Sequence, residues 1–100
     1  MLQQYNPANA NILVNINGKL VHCDEAGVSP FDSSVQNGDA VWEGLRLYGG
    51  RVFKLQEHLD RLRRSAELLK YEGVPTNEEL VDELKRTLSA NQMSDSVHIR

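Results

Sequence analysis

The side chains in this sequence that could do chemistry gather between Asn37 and Leu62. Residues Asp39 to Tyr48 alternate with period two. A strand there shows Val41, Glu43, Leu45 and Leu47 on one face, and Trp42, Gly44, Arg46 and Tyr48 on the other. A second face turned to bulk water would carry Thr, Lys or Glu. An indole, an absent side chain, a guanidinium and a phenol instead describe a pocket wall for something polar or anionic. The competing description is an amphipathic strand with a few incidental aromatics.

Three charged residues set what that wall could do. Arg46 could neutralise a carboxylate, stack on an aromatic ring or pair with an acid on a neighbouring strand. Glu43 shares a face with three apolar residues, so its carboxylate needs a partner or a raised pKa. It is either a member of a structural ion pair, the reading preferred from sequence, or a group that steers a site arginine. Arg61 lies on a helix flank beside His58 and Leu68. Its planar fork suits a phosphate or carboxylate, but it could equally lie along the core edge toward Glu57 or Asp60. Helical geometry by itself favours the second.

No reacting group accompanies these recognition groups, and no catalytic residue is assigned. His22, His58 and His98 fall in three different elements without metal-ligand spacing, so no metal site is assigned either. Cys23 sits beside Asp24 and Glu25, a setting that disfavours the thiolate a nucleophile needs. Lys19, Lys54, Lys70 and Lys85 all stand in solvated contexts, unlike a desolvated amine nucleophile. Glycine-rich phosphate loops and nucleophile elbows are absent.

The elements that must position these residues follow from turn chemistry and periodicity. Met1 to Asn11 reads as a flexible lead-in. Ile12–Ile16 and Lys19–Val21 form a hairpin about Asn17-Gly18, where both positions tolerate positive φ. His22 to Val35 is irregular, with Val28 and Phe31 expected as its anchors in the core. Asp32, Ser33 and Ser34 are placed to cap a short turn leading to Gln36. Gly49-Gly50 turns the central strand into a return strand, Arg51 to Lys54.

A helix is predicted from Leu55 to about Tyr71, with Leu55, Leu59, Leu62, Ala66 and Leu69 on its apolar face. Glu57, Asp60, Arg64 and Glu67 take the solvent side. His58, Arg61, Ser65 and Leu68 run along the flank. Gly73 is expected at the left-handed position that ends this helix. Thr76 and Glu79 form a capping box for a second helix to about Ala90, which buries Leu80, Leu84, Thr87 and Leu88. Val97 begins a last strand. Strands first, then two helices, then a strand predict an α+β domain, an antiparallel sheet with two helices on one face. A strand entered at Val97 with Arg100 as the last residue leads to the expectation of a longer polypeptide.

Length and charge narrow the class. One hundred residues make one domain. A net charge of -3 and a pI near 5.5 oppose nucleic acid as a partner, since phosphate neutralisation needs a basic surplus. No apolar run reaches transmembrane length, the N-terminus lacks signal-peptide character, and a single cysteine permits no intrachain disulfide. A cytoplasmic location is expected.

The succession NINGKLV, EAGVSPFDSSVQNGDAVWEGLRLYGGRVFKLQEHLDRLRRSAELL and VHIR strongly resembles the N-terminal small domain of class IV aminotransferases. These are the fold-type IV pyridoxal-phosphate enzymes that include branched-chain amino-acid aminotransferases. The resemblance covers Ile12 to Arg100, so residues 12–100 are expected to be that small domain. It implies that Arg61, in EHLDRL, grips the phosphate of pyridoxal 5'-phosphate. It implies that Trp42 forms part of the wall around the substrate side chain, with Arg46 nearby at the end of its strand. Arg100 matches an arginine at the side-chain or carboxylate end of the substrate pocket in branched-chain-type members. Asn37 and His98 stand where branched-chain enzymes often carry tyrosines that shape substrate binding.

The same resemblance implies amino and 2-oxo acid substrates, and a homodimer whose active sites lie between two domains. The lysine that carries the cofactor covalently belongs to the family's larger domain, and no lysine here matches it. These hundred residues alone are therefore expected to be inactive. Other activities of the superfamily stay open: aminodeoxychorismate lyase, and D-amino-acid or (R)-amine transamination. So does a non-catalytic binding module that uses the Trp42/Arg46 face.

Overall fold

A computed structural model describes residues 4–100, so part of the expected lead-in, residues 1–3, lies outside the described residues. The order is β1 (Leu13–Ile16), β2 (Lys19–His22), α1 (Ser33–Gln36), β3 (Leu45–Tyr48), β4 (Arg51–Val52), α2 (Leu55–Leu68), α3 (Asn77–Ala90) and β5 (Val97–Ile99). Single 3-10 turns occur at Pro7–Asn9 and Cys23–Glu25. The domain is α+β, and its antiparallel strands form two sheets: β1 with β2, and β4-β3-β5 with β3 in the centre.

The turn chemistry explains both hairpins. Asn17 and Gly18 take φ of 53° and 82°, and this left-handed pair matches the twist of the flanking strands. In the second hairpin both positions are glycine, Gly49 and Gly50. Their amides are held from outside: Gly49 N–H donates to Asp95 Oδ1 at 2.7 Å and Gly50 N–H to the Ser94 carbonyl at 2.8 Å. The loop before β5 is thereby tied to the turn, and β5 lies along β3 with Leu45 opposite Ile99 and Arg46 opposite His98.

The buried core is small: Leu45 and Leu47 of β3 and Leu59 and Ala66 of α2. α3 is fastened to β1 by polar contacts. Asn91 accepts from Leu13 N–H at 2.7 Å and donates back to the Leu13 carbonyl at 3.0 Å, and Asn15 donates to Glu83 and Thr87. The turn into α3 is pinned by Arg63, which donates to the Pro75 carbonyl and to Asn77.

Several expectations are corrected. Regular strand begins at Leu45 rather than Asp39, because pairing with β5 starts at Leu45 and no other described strand flanks Asp39–Gly44. The predicted burial alternation nevertheless extends back through Glu43. Val28 and Phe31 are not core anchors: they are 63% and 84% exposed, on a loop that no described helix or strand covers. α2 ends at Leu68, and Leu69 is 42% exposed. The left-handed residue ending α2 is Lys70, at φ 59°, with Lys70 N–H donating to the Glu67 carbonyl and Tyr71 N–H to that of Ala66. This is the reciprocal closure that satisfies the last carbonyls of a helix, and it leaves Gly73 further along the connection. Thr76 caps α3 by accepting from Glu79 N–H at 3.1 Å; the return bond, from Thr76 N–H to the Glu79 carboxylate, is not formed among the described residues. Asp32 caps α1 as expected, accepting from Ser34 N–H at 2.8 Å.

Candidate functional site

The site grows out of the alternation before β3. Because consecutive side chains point to opposite sides of an extended chain, Trp42 and Glu43 are delivered to different surroundings by one peptide bond. Glu43 goes inward and is the one buried charged residue among those described, 8% exposed. A carboxylate there needs donors, and α2 supplies them. His58 and Arg61 are three residues apart on one helix face, and both reach Glu43.

Arg61 donates through Nε to Oε2 at 2.8 Å and through Nη2 to Oε1 at 2.6 Å, a bidentate fork. His58 Nδ1 lies 2.6 Å from Oε1. Since an ionised carboxylate only accepts, that ring nitrogen carries the proton. Hydrogen bonding from Arg61 holds the Glu43 carboxyl down at about 2, against the burial that would raise it, with His58 adding to the effect. The same hydrogen bonds raise the pKa of Arg61, so the guanidinium stays charged.

Glu43 is therefore neither unpaired nor protonated, and the two roles considered for it coincide. It is a buried ion-pair member whose partner is the candidate site arginine. Arg61 turns to neither Glu57 nor Asp60. Its side chain is 61% exposed, and among the described residues its guanidinium bonds to Glu43 alone, so Nη1 and the outer hydrogen of Nη2 face outward. A cation oriented by a buried acid, with its outer donors free, is fitted to a phosphate oxygen pair.

The other side of the segment carries Trp42, Gly44, Arg46 and Tyr48, joined from β5 by His98, which pairs with Arg46, and by Arg100 beyond it. Arg100 places its guanidinium carbon 4.2 Å from the centroid of the Trp42 ring. Gly44 has a specific reason to lack a side chain. A Cβ there would stand 3.2 Å from His98 Nε2 and 3.6 Å from the Trp42 ring. The empty position lets an imidazole and an indole sit side by side.

Of the sequence-derived site residues, Trp42 and Arg100 are brought together, and Arg46 shares their face. Arg61 is set apart by its bond to Glu43 on the inner side. The face is an open wall rather than a closed pocket: Trp42 is 62% exposed and Tyr48 56%. Two concavities of about 350 and 430 Å³ lie elsewhere, and neither includes Trp42, Arg61 or Arg100. In the sequence His98 stands out for the residue type at its position and as a histidine without metal-ligand spacing; the signal for its packing on Gly44 is the bare glycine between an indole and a guanidinium. Lys19, Lys54, Lys70 and Lys85 are exposed, and no described interaction joins any of them to this wall.

Comparison with known proteins places residues 40–100 under the family described as amino-transferase class IV. The chain is 53% identical over 94 residues to "Branched-chain-amino-acid aminotransferase-like protein 2" of Arabidopsis thaliana, covering 94% of this chain and 17% of that one. It is 38% identical over 80 residues to a D-alanine aminotransferase of Staphylococcus epidermidis, covering 80% and 28%. Among solved structures it resembles a branched-chain aminotransferase from Thermoproteus uzoniensis with norvaline. The TM-score is 0.78 at 33% identity, over 88% of this chain and 31% of that one. The hundred residues thus span less than a third of the length of these relatives.

Proposed function

Because the chain belongs to the class IV aminotransferases, we propose that it forms one wall of the active site of an enzyme that moves amino groups between amino acids and 2-oxo acids, with branched-chain amino acids as the favoured class. The observation that carries this reading is the Glu43–Arg61 fork, which presents an oriented cation to an anionic group. The chemistry supplied by pyridoxal phosphate when bound is that of a carbonyl and an electron sink.

The residues of this chain bind and orient. Arg61 holds the cofactor phosphate through its outward donors, and Glu43 and His58 hold Arg61. Trp42 lies against the apolar side chain of the substrate. Arg100, stacked on that indole and free at its edge, offers a cation to a carboxylate, with Arg46 adding positive charge on the same face. The amine that would carry the cofactor comes from the remainder of the enzyme, since the lysines here stand away from the wall. By themselves the hundred residues are expected to give no turnover. The exposed Val28, Phe31 and Leu68 support burial of this domain against further protein; the assembly proposed is a cytoplasmic homodimer.

The test is transamination by the enzyme containing these residues, with 2-oxoglutarate as acceptor and L-leucine or L-valine as donor. Cofactor-dependent turnover of these donors is the expected result. Absence of turnover with every amino donor would overturn the proposal. A preference for D-alanine is the second reading, favoured by the D-alanine aminotransferases among the relatives, and the same assay decides between them.

A further inference from the structure

Away from this wall, the end of β2 gathers three potential metal ligands that neither the candidate site nor the family comparison uses. His22 closes β2 and caps the 3-10 turn Cys23–Glu25. This tight turn folds three consecutive side chains back on one another. His22 Nδ1 is 3.7 Å from Asp24 Oδ2, and Cys23 Sγ is 3.9 Å from both His22 Nδ1 and Asp24 Oδ1. One ligand atom from each residue falls within 4.8 Å of the others. We propose that His22, Cys23 and Asp24 bind a late first-row divalent cation of the zinc type.

The spacing suits such an ion. Ligands around a tetrahedral zinc, with the usual zinc–sulfur, zinc–nitrogen and zinc–oxygen bonds, stand roughly 3.4–3.6 Å apart. With one Asp24 oxygen serving as the ligand, the three atoms lie within 4.8 Å of one another, so the widest contact must close by up to about 1.2 Å, a movement open to the exposed Asp24 carboxylate. The ligand set, one thiolate, one imidazole and one carboxylate, favours zinc or cobalt over magnesium or calcium.

A second observation concerns the imidazole. His22 Nε2 lies 3.1 Å from Asn11 Oδ1, an acceptor, so Nε2 carries the hydrogen. Asp24 N–H donates to Nδ1 at 3.1 Å, which independently requires a lone pair there. Both contacts select the tautomer with its hydrogen on Nε2, which leaves on Nδ1 the lone pair that now accepts from Asp24 N–H. The Asn11 contact is the outer hydrogen bond that metal-bound histidines usually make.

Binding forms a metal–sulfur bond and releases the Sγ–H proton to solvent, with no change of oxidation state. The cation's own charge stabilises the coordinated thiolate. The bond from Asp24 N–H to Nδ1 and the contact from Sγ to the Ala10 carbonyl, at 3.4 Å, are given up. Solvent fills the remaining coordination position. The three histidines fall in separate elements, whereas this ligand set is contiguous, and only the turn brings its side chains together.

The experiment is a cobalt(II) titration of the tag-free, full-length protein, read as difference spectra between wild type and Cys23→Ser. Expected are a near-ultraviolet thiolate-to-cobalt band and the visible bands of a tetrahedral ion, both removed by zinc. His22→Asn keeps an acceptor for Asp24 N–H, so the turn stays capped, and it should weaken binding at least about tenfold, or 1.4 kcal/mol. Asp24→Asn, at an exposed position, should weaken it less. No thiolate band in wild type would overturn the proposal. So would a band that persists undiminished in both His22→Asn and Asp24→Asn, which would mark a simple adduct of the thiol.

Discussion

Glu43 commits both carboxylate oxygens to Arg61, receiving Nε at 2.8 Å and Nη2 at 2.6 Å, while the acid is buried and the arginine is mostly exposed. The asymmetry gives each partner a different job. The acid is fixed by the core around it, and its two oxygens set the plane of the guanidinium. Loss of the fork and loss of the charge therefore have separable consequences.

Arg61→Lys retains a cation near Glu43 but loses the planar fork. Cofactor affinity in the enzyme containing these residues should fall by about 1.5–3 kcal/mol, the range for hydrogen bonds to a charged group. Thermal stability should change far less than in Arg61→Ala, which leaves a buried carboxylate with His58 as its main partner. Equilibrium titration of the cofactor into the apoenzyme measures the first effect. Unaltered affinity would remove Arg61 from the phosphate site.

Glu43→Gln keeps the shape of the side chain and removes the charge that orients Arg61. Unfolding in urea should show a loss of about 1–3 kcal/mol, because His58 and Arg61 lose a charged acceptor. Cofactor affinity should drop as well, although the substituted amide would touch no ligand. A stability loss with full cofactor affinity would show that Glu43 serves the fold and does not position Arg61.

Acid stability should follow the same carboxylate. The Glu43 pKa is about 2 in the folded chain, against about 4.3 for an ordinary glutamate when unfolded. The unfolded state therefore binds the proton more readily, and stability rises with pH across this interval. The contribution is complete above about pH 4.3 and is lost as pH falls toward 2. Wild type should show a steeper loss of unfolding free energy between those limits than Glu43→Gln. Parallel pH profiles for the two proteins would contradict the assignment.

Gly44→Ala probes the wall where the substrate is expected. The new methyl would meet His98 Nε2 at 3.2 Å, and His98 is exposed and can turn away, so the stability cost should stay within about 1 kcal/mol. The displaced imidazole and indole should raise KM for the amino donor. Addition of His98→Ala, which removes the clash, should recover part of the loss. Equal KM values for Gly44→Ala and wild type would place the substrate elsewhere.

Much of this domain could be read from neighbouring residues. The alternation around Glu43 survives as burial even where no regular strand is formed, because side chains on an extended chain must point to alternate sides. Asn17-Gly18 and Gly49-Gly50 turn as expected, since φ preference is a property of single residues. Asp32 and Thr76 cap their helices for an equally local reason. The motif order carried the family, and the resemblance implied the cofactor and the roles expected of Arg61, Trp42 and Arg100.

Other features depended on packing that periodicity does not encode. Apolar character made Val28 and Phe31 look like core residues, yet the loop that holds them lies outside the small core. Nothing local tells that Glu43 takes its partner 18 residues away on α2, or that Arg100 is laid over Trp42 by the register of β5 on β3. The clustering of His22, Cys23 and Asp24 likewise needed the 3-10 turn. The sequence by itself determined which chemical groups are present and which way each strand or helix turns them. The tertiary structure decided which of those groups meet, because such contacts depend on register and packing between elements far apart in the chain.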